Sequence, residues 1–136
     1  MQFNVTCDEP TVYALKSIDN RPDTQTGSPL FFGLGLTHAE EKLGYFWPYI
    51  GNLQADGQRV DAIRSRDGGG SWARTSKISS NELLATSAIG GTTPIAVKNL
   101  STLLQIDTKI ARADGLTLNE EVPIDGFMTL EINYLL

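Results

Sequence analysis

Few side chains in this sequence are equipped for chemistry. His38 is the lone histidine and Cys7 the lone cysteine. A hydrolase can use histidine as a general base. Here no Gly-x-Ser-x-Gly nucleophile turn accompanies it, and it sits in the polar stretch Thr37-His38-Ala39-Glu40-Glu41. A solvated surface position is expected. One Cys and one His are too few for a Cys/His zinc site within one chain. The carboxylates Asp19, Asp23, Asp56, Asp61, Asp67, Glu120, Glu121 and Asp125 are the other candidates, for an acid–base pair or a calcium site. Asp19-Asn20-Arg21-Pro22-Asp23 offers oxygen ligands, but an Arg stands among them and the EF-hand order with its closing Glu is absent. Turn chemistry is the expectation there. No catalytic residue, metal or cofactor is assigned, and the chain reads as a non-enzyme. Cys7 has two readings: a small buried hydrophobe, or half of a disulfide whose partner lies outside this sequence.

The sharpest local pattern is Ser65-Arg66-Asp67-Gly68-Gly69-Gly70-Ser71-Trp72. It resembles the Asp-box hairpin, Ser-x-Asp-x-Gly-x-(Ser/Thr)-Trp, of sialidase propellers, with Ser65, Asp67, Gly69, Ser71 and Trp72 at the specified positions. An Asp at a turn accepts backbone N–H bonds. Glycine supplies positive φ where other residues strain. The Trp anchors the hairpin by burying a large ring. A propeller needs several blades of about 40–50 residues each, so the motif predicts a hairpin and not a sialidase.

The aromatic run Tyr45-Phe46-Trp47-Pro48-Tyr49 allows two readings. Strand alternation would bury part of it in a core. Tyr45, Trp47 and Tyr49 on one face could instead stack on a sugar. Three coplanar exposed rings would favour sugar binding; a covered, strand-aligned cluster would favour a structural role. Asn4-Val5-Thr6 and Asn99-Leu100-Ser101 match the glycosylation sequon, a pattern common by chance.

The elements that would position these residues are strands. Candidates are 3–7, 12–18, 30–36, 45–50, 60–65, 71–77, 94–97, 103–111 and 127–135, most of them bounded by Gly, Pro, Asn or Asp. Met128, Leu130, Ile132 and Tyr134 form one face of the last, against Thr129, Glu131 and Asn133. Leu104, Ile106, Thr108 and Ile110 repeat the pattern against Gln105, Asp107 and Lys109. Both predict half-buried antiparallel strands. Thr37 followed by Glu40 suggests one capped helical turn over 37–43, and 80–85 is a second weak helical candidate. The 136 residues fit one domain over 1–136. The predicted fold is all-β, an Ig-like antiparallel sandwich. With 11 basic against 16 acidic residues, the chain has no basic stripe for nucleic acid. No apolar run approaches the roughly 20 residues of a membrane helix, so no membrane insertion is expected. The first residues show no signal-peptide pattern and already read as a strand, which predicts that an upstream segment is missing.

Several segments together resemble the secreted bacterial family of β-fimbriae major subunits, long classed as a domain of unknown function. They are Val5-Thr6-Cys7-Asp8-Glu9-Pro10, Ala14-Leu15-Lys16-Ser17-Ile18-Asp19-Asn20-Arg21, Phe32-Gly33-Leu34-Gly35-Leu36, the 65–72 hairpin, and the ending Ile124-Asp125-Gly126-Phe127-Met128-Thr129-Leu130-Glu131-Ile132-Asn133-Tyr134-Leu135. The resemblance spans nearly the whole chain. It implies a pilin-like sandwich with a missing strand, export to the periplasm, cell surface or medium, and assembly by strand addition. Implied partners are other subunits and a periplasmic chaperone, with Met128, Leu130, Ile132 and Tyr134 on the assembly strand. It also implies that Cys7 pairs with a cysteine of an upstream segment. Self-association through the sheet edge beside 127–135 follows as an expectation, and an adhesin or carbohydrate-binding module using Tyr45, Trp47 and Tyr49 is the alternative.

Overall fold

The computed structural model describes residues 1–111 and 127–135. Every named element among them is a strand: β1 (Gln2–Asp19), β2 (Phe32–Gly33), β3 (Gly44–Ala55), β4 (Gln58–Arg59), β5 (Asp61–Ser65), β6 (Ala73–Arg74), β7 (Leu83–Ser87), β8 (Ala96–Ile110) and β9 (Met128–Tyr134). The all-β, antiparallel expectation is met. The strands form one curled sheet in the order β2-β3-β8-β1-β7-β5-β6, with β4 on β3 and β9 on β1.

The curl is made by β1, whose two halves pair differently. Its first half runs beside β8, from Gln2↔Leu103 to Val12↔Ala96, with a register shift between Thr6 and Thr11. Its second half lies between β9 and β7, from Tyr13↔Tyr134 to Asp19↔Met128 and through Leu15↔Leu84. Pro10 lies inside the slipped stretch. A residue with no N–H to donate is tolerated where the ladder is already interrupted. Segments 3–7 and 12–18, expected as separate strands, are therefore one strand. Segments 94–97 and 103–111 likewise merge into β8, because Leu100 and Thr102 keep the inward alternation going between them.

Phe32, Leu34, Phe46, Ile78 and Leu104 form the core of one end, with Leu84, Met128 and Leu130 packed against them from the other half of the sheet. Val5, Tyr13, Leu15, Val97 and Leu100 form the other end. Each side chain fully buried this way contributes roughly 1.5–3 kcal/mol. The Tyr13 hydroxyl is buried with no hydrogen-bond partner among the described residues. Burial, with Cys7 and Asp56 nearby, pushes its pKa up to about 12.

Neither helical expectation survives. Residues 37–43 form a turn closed by the Leu36↔Lys42 bridge. The Thr37 hydroxyl accepts from the Ala39 and Glu41 amides and donates to the Glu41 carboxylate, and Glu40 is in the left-handed region at φ 63°. A residue there ends a helix before it starts. Segment 80–85 leads instead into β7, paired along β5 from Asp61↔Ser87 to Ser65↔Leu83.

Candidate functional site

Strand alternation fixes which side chains of β8 and β9 share the inner face, and the structure shows how well that face is covered. Leu104 of β8 is buried, but Ile106 and Ile110 are 38% and 46% exposed, and Thr108 is exposed too. This corrects the expectation that the row from Leu104 to Ile110 is half-buried throughout. On β9, Met128 and Leu130 are half-buried, whereas Ile132 and Tyr134 are 42% and 67% exposed. Pairing with Leu15 and Tyr13 puts Ile132 and Tyr134 on the inner side of the sheet. Alternation states which residues share a face; it does not state what faces them. Between these two rows lies an apolar groove of about 550 Å³, lined by Phe3, Leu34, Phe46, Leu104, Ile106 and Met128 among others. Phe127, at its mouth, is 58% exposed. Among the described residues these apolar side chains stand open next to strand edges.

The 65–72 hairpin is built as its pattern predicts. The Asp67 carboxylate accepts the Ser65 hydroxyl at 2.7 Å, the Ser71 amide at 2.9 Å and the Ser71 hydroxyl at 2.7 Å. The Gly69 amide donates to Ser65 Oγ at 2.8 Å, and Gly68 and Gly69 both adopt positive φ. Trp72, like Leu83 and Leu135, is half-buried against the cluster of Ala14, Ile63 and Ala85 on the opposite, outer face of the second half of the sheet. Arg66 ion-pairs with the buried Glu82 at the start of β7, tying the turn to the sheet. The Ser65 hydroxyl, then the Ser71 hydroxyl and amide, hold the exposed Asp67 carboxyl at about 2 against an ordinary 3.8. A depressed carboxyl stabilises the fold above its unfolded value and loses that contribution as pH falls through its folded value. An NMR titration of the Ser71 amide should therefore show a midpoint near pH 2; a midpoint near 4 would mean that the bonds to Asp67 do not persist in solution.

The aromatic row occupies the outer face of β3. Phe46 and Pro48 point inward and are buried, while Tyr45, Trp47 and Tyr49 are half-buried. The rings are not coplanar: Trp47 and Tyr49 are tilted by 51° at 6.1 Å. Two residues that the sequence reading missed cover them. Phe31 stacks on Tyr45 at 4.0 Å and sits 4.6 Å from Trp47. The Lys77 ammonium lies 4.2 Å from the Trp47 centroid and 5.3 Å from that of Tyr49, a cation–π cap. Nothing in local spacing signals either contact; Lys77 arrives through the long-range Tyr49↔Lys77 bridge.

Cys7 is half-buried beside the Val5–Leu100 core and forms no disulfide among the described residues. His38 is exposed on its turn. Asp19 is buried and spends its carboxylate on the amides of Arg21 at 2.8 Å and Gly33 at 3.0 Å, the turn chemistry expected of it. Glu120, Glu121 and Asp125 lie outside the described residues. Among the described residues no group of three or more His, Cys, Asp or Glu side chains converges on a point, and no helix is long and apolar enough to cross a membrane. Comparison with protein-family models, with curated proteins and with solved structures found no match.

Proposed function

We propose that this chain is a structural subunit of an exported fimbrial or pilus-like fibre, assembled by strand addition. The observation that carries this reading is the apolar groove between β8 and β9, where inward-facing Ile106 and the neighbouring Phe127 stay exposed. On this reading the curled sheet is an incomplete Ig-like, pilin-like sandwich. The groove takes an extended segment of a neighbouring subunit, after a periplasmic chaperone has held it open to assembly. The work is non-catalytic and is done at the periplasm or cell surface. The resemblance of the 5–10, 14–21, 32–36 and 124–135 segments to β-fimbriae subunits supports the same reading. Binding of sugar by Tyr45, Trp47 and Tyr49 draws less support, because Phe31 and Lys77 already occupy the ring faces a sugar would need.

The test is a fluorescence-anisotropy titration with a short labelled peptide that alternates Val and Thr. Saturable binding is expected, and Ile106→Asp should weaken it by about tenfold or more, which corresponds to about 1.4 kcal/mol. Ile106 is exposed enough that the variant should fold, as circular dichroism would verify. An affinity equal for the parent chain and the Ile106→Asp variant, or no binding at all, would overturn the assignment of the groove.

A further inference from the structure

The outer face of β3 and β8, on the side of the sheet away from the groove, carries a second hollow. Gly51 forms its floor, and Tyr49, Asn52, Leu103 and Gln105 stand around it in a cleft of about 300 Å³. Gly51 pairs with Leu103 and Tyr49 with Gln105, and paired residues share a face. A side chain at position 51 would rise into this space; its Cβ alone would meet the Leu103 carbonyl oxygen at 3.2 Å. The buried Thr102 hydroxyl fixes the floor from the inner side by donating to the Gly51 carbonyl at 2.8 Å. A bulge supplies one wall. Between the pairs Gly51↔Leu103 and Gln54↔Ser101, Asn52 and Leu53 stand opposite Thr102 alone. Bulges re-aim a side chain, and Asn52 sits in the left-handed region at φ 48°, which asparagine tolerates.

The chemistry of the cleft is neutral and mixed. Leu103, 49% exposed, offers an apolar wall. The Asn52 side-chain oxygen accepts from Gln54 Nε2 at 3.3 Å, and Gln105 Nε2 donates to Asp107 at 3.4 Å. Each amide is thus held at one end, and its other end is a donor on Asn52 and an acceptor on Gln105. Asn4, Thr6, Gln54, Asn99 and Ser101 continue the same face through the pairs Gln54↔Ser101, Asn4↔Ser101 and Thr6↔Asn99. All are uncharged amides and hydroxyls, in a chain of formal charge −5. An anion meets no cation among the residues lining the cleft. An added strand finds no open ladder at its floor, because β3 and β8 pair with each other there.

We infer that this cleft binds a neutral saccharide, independently of what the groove takes up. One sugar ring lies over Gly51 with an apolar C–H face on Leu103. One of its hydroxyls accepts from Asn52 Nδ2 and another donates to Gln105 Oε1. The volume is at the lower end of the roughly 300–1,000 Å³ typical of ligand sites, and an apolar wall with a few placed polar groups is their usual lining. Further sugar units extend over Ser101 and Asn4. The site differs from the ring faces of Tyr45 and Trp47, which Phe31 and Lys77 occupy.

The test is an NMR titration of the intact chain with neutral trisaccharides of glucose, galactose, mannose and N-acetylglucosamine, each used separately. Expected with at least one of them are saturable shifts of the Gly51, Asn52, Leu103 and Gln105 amides, at the millimolar affinity of a shallow site with few hydrogen bonds. Asn52→Gly removes the side-chain amide and suits the left-handed backbone; Gln105→Ala changes an exposed side chain. Each should weaken binding about fivefold, the loss of one hydrogen bond, while Ile106→Asp, on the opposite face of β8, should bind the sugar as the parent chain does. No saturable shift from any trisaccharide would overturn the inference. So would shifts centred on Tyr45 and Trp47, or an affinity unchanged in both Asn52→Gly and Gln105→Ala. Equal binding of a sulfated disaccharide would overturn the preference for a neutral ligand.

Discussion

Gly33→Ala should cost about 3 kcal/mol or more, because the added methyl group has no room in the buried turn behind β2. Gly33 is buried, and its amide donates to the Asp19 carboxylate at 3.0 Å. A Cβ there would fall 2.0 Å from Thr24 Oγ1 and 2.5 Å from the Arg21 carbonyl oxygen. Neither neighbour is free to move. Thr24 Oγ1 donates to that same carbonyl at 2.6 Å and accepts the Gly35 amide at 3.1 Å. The methyl group must therefore displace backbone, with loss of the bonds that hold the 20–31 loop onto β2. Urea melts would measure the cost; a loss below about 1 kcal/mol would mean that the loop moves aside freely.

Trp72→Ala should destabilise the fold by about 3 kcal/mol, the lower end of the range for deleting a large ring, because Trp72 is half-buried. The ring packs against the cluster of Ala14 on β1, Ile63 on β5 and Ala85 on β7, three neighbouring strands. Its removal uncovers all three together, so hydrogen exchange should rise across β5 and β7 and not only in the hairpin. Trp72→Phe should restore more than half of the loss. A substitution that leaves the melt unchanged would show the hairpin to be an ornament on the sheet.

Most of the strand content and the hairpin were legible because both are written locally. Two-residue alternation is a property of a strand itself, and the bonds at Asp67 span only residues 65 to 71. What sequence spacing hid is long-range. Asp8-Glu9-Pro10 looks like a break, yet β1 passes through it with only a slip of register against β8 and changes partners after Val12. Met128, Leu130, Ile132 and Tyr134 alternate perfectly, but their burial falls from half-buried to 67% exposed along the strand, because burial depends on what lies across the core. The groove itself could not be read beforehand. Ile106 carries the same alternation signal as Leu104, yet Leu104 is buried and Ile106 is exposed.

The central claim, that the groove takes an added strand, is tested most directly by the melting temperature as a function of peptide concentration. A ligand that binds only the folded chain stabilises it by about 2.7 kcal/mol at a hundred times its Kd. For a domain of this size that is a rise of roughly 8 °C. The alternating Val/Thr peptide should give that rise, growing with the logarithm of its concentration. A peptide of the same composition with the alternation scrambled should give little. Equal shifts from both peptides, or no shift from either at any concentration, would contradict the account.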